Sequence, residues 1–208
     1  MRGLLIASLL CVGIAGVRAA ETIDRVLALV AGQLITLTDV TAARDLGLVS
    51  ADAAADPVRA VLSKLIDREL ILAEADRYAP PEPDAEAIDR EIERVRARFQ
   101  SPQAFDLALA RSGIDEKHLR EMLRQDLRIR AYEDQRFTVQ PPSDADVTQY
   151  YRQHIAAFTR NGVEQPLDTV RGDVSRLVAQ TRRDGAIADW VAGLRRRGDI
   201  LDLYLPSR

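Results

Sequence analysis

The chain has 208 residues with 29 basic and 32 acidic side chains, 47% hydrophobic residues and a single cysteine, Cys11. That length holds one domain or two small ones and is ample for an apolar core. The slight acidic excess argues against nucleic acid as a partner, because phosphate binding needs clustered positive charge, and the cysteine count excludes a disulfide framework.

The first twenty residues read MRGLLIASLLCVGIAGVRAA. Arg2 is followed by an uninterrupted apolar run from Leu4 to Val17, with small residues at Val17 and Ala19, the pattern of a secretory signal peptide over residues 1–19. The run falls short of the roughly 20 apolar residues that span a bilayer as a helix, so stable membrane insertion after cleavage is not expected. Leu10 is too bulky for Cys11 to be a lipidation site. Cleavage after Ala19 leaves 189 residues, 27 of them basic and 32 acidic, for a formal charge of −5. The mature chain has no cysteine and depends on its core alone in an oxidising compartment.

From Asp24 to Val40 two β-rich runs flank Gly32-Gln33, predicting a hairpin with strands at Val26–Val30 and Leu34–Thr36. Thr38 or Asp39 can cap a short helix reaching Leu46, and an Ala/Asp-rich loop follows to Pro57. Residues 57–78 carry apolar side chains around most of a helical surface, which places this helix centrally under others. Pro80 stops it. Asp84 starts the next helix, whose Ile88, Ile92, Val95 and Phe99 form a narrow stripe. A short helix runs from Pro102 to Arg111 and ends near Gly113, and Asp115 caps a longer one with Leu119, Met122, Leu123 and Leu127 at helical spacing. Pro141-Pro142 breaks the chain before a helix from Ser143 to Phe158, and Asn161-Gly162 separates that from a long helix over Pro166–Arg197, with Gly185 as a possible bend. The alternating segment Ile200–Leu205 is a strand whose natural place is beside the first hairpin, since two strands alone are marginal in water. The fold class expected is mostly α: a multi-helix module with a small sheet made from the N-terminal hairpin and the C-terminal strand.

Chemistry is sparse in this sequence. His118 and His154 have no second histidine or cysteine at ligand spacing and are expected on solvated helix faces. No serine sits in a nucleophile elbow and no glycine-rich phosphate loop occurs. The acidic pairs Asp67/Glu69, Glu91/Glu93 and Asp144/Asp146 point in different directions on helices, which suits them poorly to acid/base work. The run from Asp89 to Phe99 reads as a solvated face laced by Glu-Arg pairs, and Arg195-Arg196-Arg197 suits the negative end of a helix dipole. No catalytic residues, metal or cofactor are expected.

Three stretches in order resemble the SurA-type periplasmic chaperone and parvulin peptidyl-prolyl isomerase family: Ile23–Val40, Leu62–Tyr78 and Leu109–Asp134. The segment Val147–Phe158 is similar to the family's lead into its first parvulin domain, and the long final helix to the family's C-terminal helix. The resemblance implies that residues 20–208 form a SurA N-terminal-like chaperone domain in the periplasm, with 159–166 a short loop where the family carries a parvulin domain. It also implies ATP-independent binding of unfolded or extended polypeptides, outer-membrane precursors in particular. Phe99, Phe105, Met122, Tyr150 and Tyr151 are the candidate client contacts, although large apolar residues of this kind are more often core than contact. Two other readings stand beside this one: a prolyl isomerase with an unrecognised site, and a non-catalytic adaptor for one folded partner.

Overall fold

The computed structural model describes residues 24–51 and 54–206; the expected signal peptide lies outside them. Strand β1 (Val26–Val30) turns back into β2 (Gln33–Thr36) through Ala31 and Gly32, whose φ angles of 49° and 84° are those of a tight hairpin turn. The turn thus sits one residue earlier than the pattern around Gly32-Gln33 predicts. Helix α1 (Leu37–Asp45) follows without a break. Its cap is Thr36, not Thr38 or Asp39. Thr36 accepts from the Asp39 amide, and the Asp39 carboxylate accepts the Thr36 N–H at 2.8 Å, a reciprocal box that lets a strand pass directly into a helix.

The next five helices start where short polar side chains can hold their first amides. Asp56 caps α2 (Pro57–Tyr78), Asp84 caps α3 (Ala85–Arg96), Ser101 caps α4 (Pro102–Ser112) and Asp115 caps α5 (Glu116–Arg136). Ser143 and Asp146 form a second reciprocal box on α6 (Asp144–Gln153). That helix stops earlier than the predicted Phe158. A single 3₁₀ turn, Ile155–Phe158, continues from it and tucks Phe158 into the interior. The joint is a small hairpin of β3 (Thr159–Arg160) and β4 (Val163–Glu164), turning at Asn161 and Gly162 with positive φ at both. From there α7 (Leu167–Arg197) runs uninterrupted through Gly185 for 31 residues, about 46 Å at about 1.5 Å per residue.

The last strand, β5 (Ile200–Asp202), pairs antiparallel with β1, giving one sheet of order β2-β1-β5 and bringing the two ends of the described chain together. It is shorter than the predicted Ile200–Leu205, although the Leu203 N–H still reaches the Leu27 carbonyl at 2.9 Å. Beneath this sheet lies the first core, built from Val30, Ile35, Leu62, Leu65, Ile66 and Leu70 with Leu194 from α7. A bulge at Leu27 turns it and Ala28 both inward. The central position of α2 is as its all-round apolar pattern requires.

A second core joins α1, α3, α4 and α5 through Leu46, Ile92, Val95, Phe105, Leu119 and Leu123. A third, smaller one holds α6 and the first half of α7 together through Val147, Phe158, Val170, Val174 and Val178. Helix α7 is therefore shared: its start builds the third core and its end seals the first. No helix among the described residues is long and apolar enough to cross a membrane.

Candidate functional site: an open apolar surface

The five side chains singled out in the sequence do not converge. Phe105 is 1% exposed and meets Phe99 edge-on, ring centres 5.6 Å apart, inside the second core. Tyr150 stacks on His154 at 4.0 Å. Tyr151 packs on Phe158 and its hydroxyl donates to the Gln165 carbonyl at 2.6 Å, which pins the β3–β4 hairpin to α6. Both tyrosines belong to the third core's margin. Met122 packs against the second core and also lines a groove beside the sheet.

The opening is on the sheet. Cross-strand partners share a face, and Leu29 is paired with Leu34 on one side and Leu201 on the other. The face beneath carries Val30, Ile35 and Ile200 into the first core, so this leucine row points the opposite way. Leu34 and Leu201 are 59% and 52% exposed, and Leu203 and Leu205 beyond them are also exposed. Alternating with these, Ile200 and Tyr204 pack inward and Asp202 pairs with Arg59 of α2. Tyr204 donates to the Asp56 cap at 2.9 Å. These polar ties decide which face of the last strand is buried, so its leucines end up outside.

Leu34 is also a corner of a groove between β2 and α5. Gln33, Leu34 and Ile35 form one wall, Met122, His118, Glu121 and Gln125 the other, and Leu65, Arg68 and Glu69 of α2 the floor, enclosing about 260 Å³. Arg68 is fully engaged there: it donates to Asp126 at 2.7 Å, Glu69 at 2.6 Å, Gln125 Oε1 at 3.0 Å and the Met122 carbonyl at 3.1 Å. That network fixes the spacing of α2 and α5. Burial pushes the Glu69 carboxyl above its ordinary value, against the pull of the adjacent Arg68 charge. Leu34 thus joins the leucine row of Leu29 and Leu201 to a largely polar groove in which Met122 is an apolar member.

The acidic pairs of the sequence are each taken up by arginine. Asp67 meets Arg195, Glu69 meets Arg68, Glu93 meets Arg96, Asp144 meets Arg171 and Asp146 meets Arg182. Glu91, expected on a solvated face, is buried and bridges Arg94 of its own helix to Arg130 of α5. Two other charges on this helix also reach across to α5, in the pairs Asp89–Arg120 and Arg96–Glu116, so the charged run is in part a seam between helices. Arg195 does not simply face the helix dipole; it also holds Ser63 and Asp67 of α2. His118 and His154 are exposed, His118 with its Nε2 3.9 Å from Asp39. Among the described residues no group of three or more His, Cys, Asp or Glu side chains could hold a metal ion. What the surface offers chemically is reversible burial of apolar groups beside an unpaired strand edge.

No protein-family model and no curated protein matches the chain. Its fold is similar to that of a solved chain from structural work on the virulence factor PEB4 and the periplasmic protein Cj1289, two structurally related SurA-like chaperones of Campylobacter jejuni. The TM-score is 0.52 at 13% sequence identity, over 87% of this chain and 100% of that one. The likeness is one of fold: helices around a small sheet, in a SurA-like arrangement.

Proposed function

We propose that the protein is an ATP-independent periplasmic chaperone that holds unfolded or extended polypeptides, outer-membrane precursors among them. The observation that carries this reading is the leucine row of the sheet, Leu29, Leu34 and Leu201, outward-facing beside the groove that Met122 lines, on a scaffold that three cores make rigid. The SurA-like fold and the expected signal peptide support it. Holding an unfolded chain needs only reversible apolar burial, at roughly 25 cal/mol per Å² removed from water before ordering costs are deducted. A surplus of negative charge keeps such a surface soluble.

The same reading makes the β3–β4 hairpin a short substitute for a parvulin domain. Turning an X-Pro bond faces a barrier of about 18–20 kcal/mol and needs a shaped site around the twisted bond, which an open leucine face does not supply. The mature chain, beginning at Ala20 or Glu21 in a Gram-negative periplasm, is expected to delay aggregation of an unfolded apolar-rich client at near-stoichiometric amounts, with prolyl isomerisation at background. Failure to protect any of several unfolded clients would overturn the reading. Isomerase turnover surviving repurification would favour an enzyme, and retention of one folded partner without protection of clients would favour an adaptor.

A further inference from the structure

We infer that the groove beside β2 takes an extended client segment in which apolar and basic residues alternate, added as a fourth strand to the free edge of the sheet. This rests on the chaperone reading and names the class of segment its surface selects.

The strand edge sets the geometry. With Ala31 and Gly32 as a tight two-residue turn, Val30 and Gln33 are the closing bonded pair, so Leu29 and Leu34 form the next, non-bonded pair. The Leu34 N–H and C=O therefore point away from β1 into the groove. On the opposite edge the Tyr204 N–H is taken by Asp202 Oδ1 at 3.1 Å. A groove of about 260 Å³ admits a single extended chain and not a folded module.

Charge selects the sequence. In a strand laid along β2, the residue opposite Leu34 exchanges two main-chain bonds with it and stacks its side chain over the leucine row. Its neighbours point the other way, into a groove bearing the carboxylates of Asp39, Glu69 and Glu121, which Thr36, Arg68 and Arg124 respectively hold in place. Among the described residues Arg68 is the only lysine or arginine lining it, and its guanidinium is already held by Glu69 and Asp126. A lysine or arginine side chain entering there lays its methylenes against Met122 and its charge near Glu121. An acidic side chain meets like charge.

The test uses the mature chain and labelled short peptides of alternating Val-Lys, alternating Val-Glu, and Val-Lys N-methylated at every valine, read by fluorescence anisotropy. Val-Lys is expected to bind about tenfold more tightly than either other peptide, the first difference from charge and the second from lost main-chain bonds. Glu121→Lys, a change on an exposed side chain, should narrow the preference for Val-Lys over Val-Glu. Equal binding of the N-methylated peptide, or an unchanged preference in Glu121→Lys, would overturn the inference. So would a chain that pairs with a second copy through β2 and loses peptide binding as its own concentration rises. Client aggregation followed alongside separates the two claims. Protection of clients without peptide discrimination removes only the strand-addition mode, whereas absence of protection removes the chaperone reading itself.

Discussion

Ending the chain at Gly198 should unfold most of the domain. The cut removes β5 and with it the pairs Ala28–Asp202, Leu29–Leu201 and Val30–Ile200, the Arg59–Asp202 ion pair and the Tyr204–Asp56 bond. It also uncovers Ala28 and Val30, which have no exposed surface in the intact chain. The partly buried Ile200 and Tyr204 and the uncovered Val30 cost about 1–2 kcal/mol each, and the lost main-chain bonds from Ala31 to Asp199 and from Leu203 to Leu27 about 1 kcal/mol each, for a sum of about 5–8 kcal/mol. A domain this size is stable by only about 5–15 kcal/mol, so the truncated chain sits near its threshold. Urea unfolding followed by circular dichroism would show a lower midpoint. As an internal control, Leu201→Ser and Leu203→Ser lie on the same strand but face outward, and should change stability by no more than about 0.5 kcal/mol. A truncated chain melting with the intact one would refute the pairing, and a large loss in the serine variants would refute the assignment of faces.

Gly198→Ala places a Cβ 2.6 Å from Leu70 Cδ2 and 2.9 Å from the Leu194 carbonyl, and should cost about 1–3 kcal/mol in thermal or urea unfolding. Phe105→Ala should cost about 3–5 kcal/mol, as expected for a side chain that fills the second core and is out of a client's reach. Tyr151→Phe, which frees the Gln165 carbonyl, should lose about 0.5–1.5 kcal/mol, with faster amide exchange in the β3–β4 hairpin than elsewhere. The Asp146 carboxyl is held down to about 2 by its bonds to the Ser143 hydroxyl and amide and by Arg182, against an ordinary value of 3.8. A depressed folded value stabilises above the ordinary one, so this contribution is complete above about pH 4 and lost as pH falls through about 2. The stabilities of wild type and Asp146→Asn measured across that range should converge at its acid end.

Much of the fold was legible because its signals are local. Caps at Asp84 and Asp115, prolines at 57 and 102, and the all-round apolar pattern of α2 each act within a turn or two of the chain. Asn161-Gly162 marked the joint, and the positive φ that this pair tolerates makes it a hairpin instead of a loop. The candidate surface was harder to read. In ILDLYL, alternation alone allows either face inward, and the leucines look like the buried set. What reverses them is long-range: Arg59 and Asp56, some 140 residues earlier, draw Asp202 and Tyr204 to the inner side. Glu91 was misplaced for a similar reason, since Arg130 that helps bury it comes from another helix. Of the five aromatic and methionine candidates, Met122 is the one that lines the groove beside β2, and all five pack on a core, because size and apolarity mark a residue for burial before they mark it for contact.

The central claim, that an open leucine surface on the sheet holds unfolded chains, is tested most directly by site-specific photo-crosslinking. A photoreactive residue at position 34, 122 or 201 should capture an unfolded outer-membrane protein, and the same client once folded should not be captured. The same probe at Arg176, exposed on α7 near the third core, serves as the reference position. Crosslinks at 34, 122 and 201 that exceed those at 176 and vanish on client folding are the predicted result. Equal yields at all four positions, or capture confined to 176, would contradict the account.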